Sequence, residues 1–283
     1  MKRPLWALKV AKAFWFLKKL PDQFPFLAKI TKIMQKFPMP FNILDYSPMM
    51  HDLVYTFPKD QVIPVNESID MAPNYVLPSQ VVDYFIKKAS HHFIMRFCLC
   101  RYANGCKTYP KAQGCLFLGE PVTRINPQFG RLVTKEEALE YAQQVRKTGL
   151  IQMIGRAFPD KLALGVGPGN ELFTICNCCP CCCGLGLFKH VPPKLGSSVY
   201  GKLPGVEVHV TKKCIGCGTC TKGVCFMHAI QVINKKAVID DMACRACGRC
   251  VLTCPQKAIV LKITNKNVFK EAAREIESRV KLT

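Results

Sequence analysis

The sequence predicts an α+β protein built around metal-binding loops, with amphipathic helices at its N-terminus. Three observations lead there. The chain has 283 residues with 49% hydrophobic content, enough to bury a core. Helical patterns such as "PSQVVDYFIKKA" and "TKEEALEYAQQVRKTG" alternate with short apolar runs, "HFIMRF", "LIQMI" and "ELFTI", that read as strands. Finally, 18 cysteines are gathered into a few short stretches, and six of them fall within Cys176–Cys183.

Composition divides the chain into four parts, beginning with a basic helical segment over residues 1–45 that carries nine Lys or Arg. In "FLAKITKIMQKF", Leu27, Ile30, Met34 and Phe37 share one helical face, and Lys29, Lys32 and Lys36 occupy the other. The earlier stretch "PLWALKVAKAFWFLKKL" is less regular: Trp6, Val10 and Leu17 form a stripe, but Leu5 and Phe16 sit among Lys9, Lys12 and Lys19. Such helices suit an anionic membrane surface or a groove on a partner subunit equally well. The start of the chain shows no small-residue cleavage site and no uncharged run of membrane-spanning length. A cytoplasmic protein, peripheral on the inner membrane face if the helices meet lipid, is the expectation. In that compartment clustered thiols bind metal rather than pair as disulfides.

Residues 46–200 form a cysteine-rich α+β domain. Its helices have start and stop signals: Ser79 as a cap after Pro78, then a capping box of Thr134 with Glu137 in a helix that ends at Gly149. Ten thiols lie here, Cys98, Cys100, Cys106 and Cys115 in one stretch and Cys176, Cys178, Cys179, Cys181, Cys182 and Cys183 in the other. In extended backbone alternate side chains share a face, so Cys98 pairs with Cys100 and Cys176 with Cys178, while Cys178 and Cys179 point apart. Pro180 and Gly184 interrupt any strand. The six-cysteine run is therefore two-faced, able to serve two metal centres that are completed from the 98–115 stretch. One or two of the ten thiols are expected to be plain buried side chains. "GVGPGN" at 165–170 lacks the endings of a phosphate loop and reads as a turn. His91 and His92 read as a helix-end pair with a ligand role as the rival, and Arg101 as a donor toward an anionic centre or a solvated cation.

Residues 201–263 contain an internal repeat. "CIGCGTCTKGVC" sets out Cys214, Cys217, Cys220 and Cys225; "CRACGRCVLTCP" sets out Cys244, Cys247, Cys250 and Cys254; "CFMHAI" and "CPQKAI" continue each copy in register. Three thiolates at this spacing wrap one iron-sulfur cubane, with a distant fourth closing it. Gly216, Gly218 and Gly248 let backbone amides approach sulfur. The segment resembles the bacterial-type ferredoxins with two [4Fe-4S] clusters. The resemblance implies a ferredoxin-like fold and crossed ligation: one cluster on Cys214, Cys217, Cys220 and Cys254, a second on Cys244, Cys247, Cys250 and Cys225. The first run departs from the family pattern, with four residues before Cys225 and Phe226 in place of proline, so a bulge is expected there. A pair of zinc sites is the rival reading, but zinc does not need the third cysteine or the crossed repeat.

The tail, 264–283, places Phe269, Ala273, Ile276 and Val280 at helical spacing and reads as a docking helix. The double cysteine Cys182–Cys183 before Gly184 is similar to the "CCG" modules of heterodisulfide reductase subunits, whose other spacings are absent here. More broadly, residues 55–263 resemble a group of long ferredoxin-like proteins of anaerobes, a likeness that adds architecture rather than chemistry.

Two [4Fe-4S] clusters in the repeat and two additional ones on the ten middle cysteines are the expected cofactors. With about −2 per cluster, the formal +21 falls to about +17 for two clusters and about +13 for four. The protein stays basic, which suits an acidic redox partner, an oxidoreductase subunit or a membrane surface; no nucleic-acid module is recognisable. The expected function is electron transfer between a cytoplasmic oxidoreductase and a partner or membrane-associated acceptor, without catalytic residues. The alternative is a reductase component that binds substrate at a cluster in the Cys176–Cys183 loop.

Overall fold

The computed structural model describes residues 54–56, 78–155, 160, 163–166, 171–190, 193–199, 201–203, 205–265, 267–280 and 282. The expected N-terminal amphipathic helices and positions 167–170 of the glycine-rich turn lie outside them.

The first module is a seven-stranded sheet, in the order β4-β2-β3-β6-β5-β1-β7. Its strands are β1 (Val54–Thr56), β2 (His92–Met95), β3 (Leu116–Leu118), β4 (Gly130–Val133), β5 (Ile151–Gly155), β6 (Phe173–Cys178) and β7 (Gly201–Lys202). All neighbours are antiparallel except β1 and β7. The three apolar runs expected as strands are β2, β5 and β6, and β6 carries Cys176 and Cys178 within the sheet itself.

Side-chain alternation gives the central strands two buried faces. Leu116 and Leu118 of β3, Ile154 of β5 and Phe173 and Ile175 of β6 pack with helices α1 (Pro78–Lys88) and α3 (Lys135–Lys147) through Val81, Val82, Phe85, Ile86, Ala138 and Ala142. Helix α1 begins at Pro78, so Ser79 lies in its first turn rather than before it. Helix α3 has the expected capping box: Thr134 Oγ1 accepts from Glu137 N at 3.2 Å, and Glu137 accepts from Thr134 N at 2.9 Å. On the opposite face, Phe93, Met95 and Phe117 pack with Val122, Ile125, Phe129, Leu164 and Leu172.

Between β2 and β3 the chain forms a short helix, α2 (Leu99–Ala103). Cys98 and Cys100 are therefore not on an extended strand, as alternation had suggested. Cys98 sits at the helix N-cap and Cys100 in its first turn, because the backbone leaves β2 and closes Tyr102 N onto Cys98 O at 2.8 Å. A further helix, α4 (Pro193–Val199), leads into β7.

The second module repeats one unit twice: strand, cysteine run, strand. β8 (Val206–Val210) and β9 (Ile230–Ile233) flank the first run; β10 (Lys236–Ile239) and β11 (Ile259–Ile263) flank the second. β8 pairs with β11 and β9 with β10, all antiparallel, which interleaves the copies. Backbone conformation repeats too. Gly216 (φ 69°) corresponds to Ala246 (47°), Gly218 (74°) to Gly248 (72°), and His228 (54°) to Lys257 (48°). A Cβ on Gly216 would lie 2.5 Å from the Lys235 carbonyl carbon, so glycine is required there. Helix α5 (Arg249–Thr253) occupies the second run.

The tail forms helix α6 (Val268–Arg279). It docks within the same chain: Val268, Ala272, Ile276 and Val280 join the core shared by α1 and the second module, and Lys88 and Tyr84 of α1 bind Glu277. No described helix is long and apolar enough to cross a membrane.

Candidate metal centres

Each half of the repeat builds one cavity. The first is lined by Cys214, Cys217 and Cys220 together with Cys254 of the other run, and by Ile215, Val232, Pro255 and Ile259. The second is lined by Cys244, Cys247, Cys250 and Cys225, with Phe226, Met227, Val208 and Ile230. The fold thus gathers the eight thiols in the crossed grouping that the ferredoxin resemblance implies.

The donor set and its surroundings fit an iron-sulfur cubane. Both cavities have apolar walls, and backbone amides already point at sulfur: Ala237 N to Cys214, Ala229 N to Cys225, Ala246 N to Cys244 and Ala258 N to Cys254, each at 3.3 Å. Such N–H···S bonds raise the potential of the centre the sulfur holds. The cavities differ in exposure. Cys217 is exposed, and the hydroxyl of Thr219 hydrogen-bonds it and lowers its pKa. In the second cavity burial pushes Cys247 up to about 11 and raises Cys244 and Cys250, so metal must displace those protons. Cavity one opens to solvent at Cys217, although its Cys220 is buried and has its pKa raised by that burial; cavity two is covered by its packing against the rest of the chain.

Cavity two faces the large sheet. Phe226, Met227 and Ala229 pack with Ile151, Met153 and Cys183, and Cys176, Cys178, Cys225, Cys244 and Cys247 border the same cluster. The β5–β6 register, Ile151 opposite Cys178 and Met153 opposite Cys176, puts these side chains on one sheet face. Leu116 pairs with Ile175, so Cys115, one residue earlier, falls opposite Cys176; their sulfurs are 3.5 Å apart.

The ten middle thiols form two groups, as the two-faced run had suggested. Cys106, Cys179, Cys181 and Cys182 come within 4.8 Å of one another. Cys115 and Cys176 meet sulfur to sulfur at 3.5 Å, and Cys178, Cys183, Cys98 and Cys100 lie near enough for their charges to influence one another. In this group the pKa values of Cys100, Cys115 and Cys178 are pushed well up.

Arg101 is not a solvated cation. It is fully buried and donates to the carbonyls of Pro110 (2.9 Å), Asn177 (2.6 Å) and Gln113. The pKa values of Cys98 and Cys179 are lowered chiefly by their neighbours Cys100 and Cys182, and the Arg101 charge adds to the effect. His92, the first residue of β2, is buried with Nε2 2.6 Å from Ile86 O of α1, and burial lowers its pKa. His91 is exposed and hydrogen-bonds Ser90.

Sequence reasoning missed Arg249, which is buried and donates to Cys178 O at 2.6 Å. Its only signal was position: an arginine between two ligands of a C-x2-C-x2-C loop is drawn toward an anionic centre.

Comparison with known proteins agrees with this architecture over a short span. Residues 237–260 match the 4Fe-4S binding domain family. A 49-residue segment is 53% identical to a subunit of the ion-translocating oxidoreductase complex of Methanosarcina acetivorans, covering 17% of this chain and 18% of that protein. No solved structure matches the chain.

Proposed function

Because the chain contains a ferredoxin-type 4Fe-4S binding domain, we propose that it is an electron-transfer subunit whose path runs from the exposed edge of cavity one, through cavity two, into the thiols of the large sheet. Cys214, Cys217, Cys220 and Cys254 hold the first [4Fe-4S] cluster, and Cys244, Cys247, Cys250 and Cys225 the second. When bound, the clusters supply one-electron chemistry, with no bond made to a substrate. The chain's residues set spacing and potential. Phe226 and Met227 exclude water between cavity two and the sheet, four backbone amides donate to cysteine sulfur, and Arg249 fixes the second loop against β6.

The observation that carries this reading is the shared apolar cluster in which Cys225, Cys244 and Cys247 meet Cys176, Cys178 and Cys183. An isolated ferredoxin module has no reason to point its buried centre at a second thiol-lined wall. Cys115, Cys176, Cys178 and Cys183 are the thiols best placed for a third centre there, with Cys98 and Cys100 beside them.

The partner is a component of an oxidoreductase system. Support comes from the similarity to one component of an ion-translocating oxidoreductase complex and from the basic charge of +21, which favours an acidic docking surface. The exposed edge of cavity one, with Cys217 accessible and Ile215 63% exposed, is where a partner approaches. Contact of residues 1–45 with a membrane surface is a further part of the proposal, motivated by their lysine-flanked apolar stripe.

Anaerobic purification followed by a potentiometric titration monitored by electron paramagnetic resonance tests the path. Magnetic interaction between the two ferredoxin clusters and a third centre supports it. Two clusters that titrate with no third signal would refute the route into the sheet.

A further inference from the structure

The thiols of the two ferredoxin cavities are spread around a space, whereas Cys106, Cys179, Cys181 and Cys182 close upon one another. Cys181 Sγ lies 3.7 Å from Cys106 Sγ and 3.6 Å from both Cys179 Sγ and Cys182 Sγ. All four lie within 4.8 Å of one another, the one such gathering of ligand atoms among the described residues.

These separations discriminate between metal centres. A tetrahedral ion with metal–sulfur bonds of about 2.3 Å sets its sulfurs about 3.8 Å apart. A cubane carries its thiolates on four outer corners and holds them on the order of 6 Å apart. The observed separations match the first. The eight ferredoxin thiols, none of which falls within such a gathering, serve as an internal contrast.

We infer that Cys106, Cys179, Cys181 and Cys182 bind a single thiophilic ion, zinc or iron, as a mononuclear tetrathiolate centre. The local structure is built for it. Strand β6 ends at Cys178, and the turn at 180–182 brings Cys179, Cys181 and Cys182 to one side despite their adjacency in sequence. Cys106 arrives from a loop that Arg101 staples to β6: the guanidinium donates to Pro110 O and Gln113 O on the loop and to Asn177 O on the strand. Val145, Leu150, Tyr109 and Tyr141 wall the inner side, and Cys181 is exposed. A dication held by four thiolates leaves a net charge of about −2, which the buried Arg101 partly offsets. Arg101 is a positioning residue; it brings the fourth ligand to the other three.

The inference does not need electrons to reach this group, so it stands or falls apart from the proposed path. The first test uses the intact, anaerobically purified chain and measures iron, zinc and acid-labile sulfide. One zinc per chain with iron equal to sulfide supports a zinc centre. One iron in excess of sulfide supports an iron centre. Iron equal to sulfide with no zinc overturns the proposal. The second test compares Cys181→Ser with the parent, since this exposed position tolerates serine without disturbing the core. The expected result is loss of one metal ion per chain at unchanged sulfide, with the ferredoxin resonance signals retained. Loss of about four irons and four sulfides would show a cubane, and unchanged metal content would show no site; either sinks the idea. Arg101→Lys is expected to lower occupancy of the same ion while sulfide stays constant.

Discussion

The guanidinium of Arg249 donates to the main-chain carbonyl of Cys178 at 2.6 Å, joining the helix inside the second cysteine run to the last residue of a strand in the other module. One side chain thus touches both a loop that lines cavity two and a strand that carries thiols. Replacing Arg249 by Met leaves that partly buried carbonyl without its charged donor, at a cost of about 1.5–3 kcal/mol. Chemical denaturation measures the loss. The signal of the second cluster should shift in potential while that of the first does not, and equal shifts in both would contradict the local role.

Crossed ligation makes a specific demand on Cys254, which lies in the second run but lines the first cavity. Cys254→Ala should remove about four irons and four sulfides, those of the exposed cluster, and leave the buried one. Resonance spectra of the variant decide it: if the surviving cluster is the exposed one, the grouping is wrong.

The repeat is asymmetric at one backbone position. Gly216 and Ala246 occupy equivalent left-handed conformations, but a Cβ at Gly216 would collide with the Lys235 backbone. Gly216→Ala should cost more than about 1 kcal/mol and disturb cavity one, while Ala246→Gly should leave both clusters in place. Iron content of the two variants provides the comparison.

Helix α6 contributes through Ile276, which is fully buried in the shared core. Ile276→Ala should destabilise the whole chain by about 2–5 kcal/mol, visible as a lower denaturation midpoint for both modules together. If only the second module loosens, the cores are not continuous.

The same helix carries a pH-dependent contact. Hydrogen bonds from Lys88 and then Tyr84 hold Glu277 below the ordinary carboxylate value of 4.5. A depressed folded value stabilises the fold above the unfolded value, and that contribution disappears as pH falls through the folded one. The stability difference between the parent chain and Glu277→Gln should therefore hold steady from 4.5 through neutral pH and shrink below 4.5. A difference that grows on acidification would reverse the assignment.

The second module was legible because its information is local: ligand spacing, the glycines at positive φ and the strand after each run all lie within one repeat. The capping box of α3 was legible for the same reason. How the ten middle thiols divide was not, beyond the two-faced character of the run, because Cys115 meets Cys176 only through the register of β3 on β6. Alternation misled at Cys98 and Cys100, where a turn of helix replaced extended chain. Arg101 and Arg249 were illegible as staples, since their partners are main-chain carbonyls, to which no residue type corresponds.

The return of α6 onto α1, together with the pairing of β7 as an edge strand of the large sheet beside β1, has a mechanical consequence. Many redox carriers ride on a tether and swing between donor and acceptor. Under the proposed electron-transfer role, the second module is held at both ends to the sheet it faces, and its turnover is expected to be paced by encounters with partner proteins rather than by an internal swing.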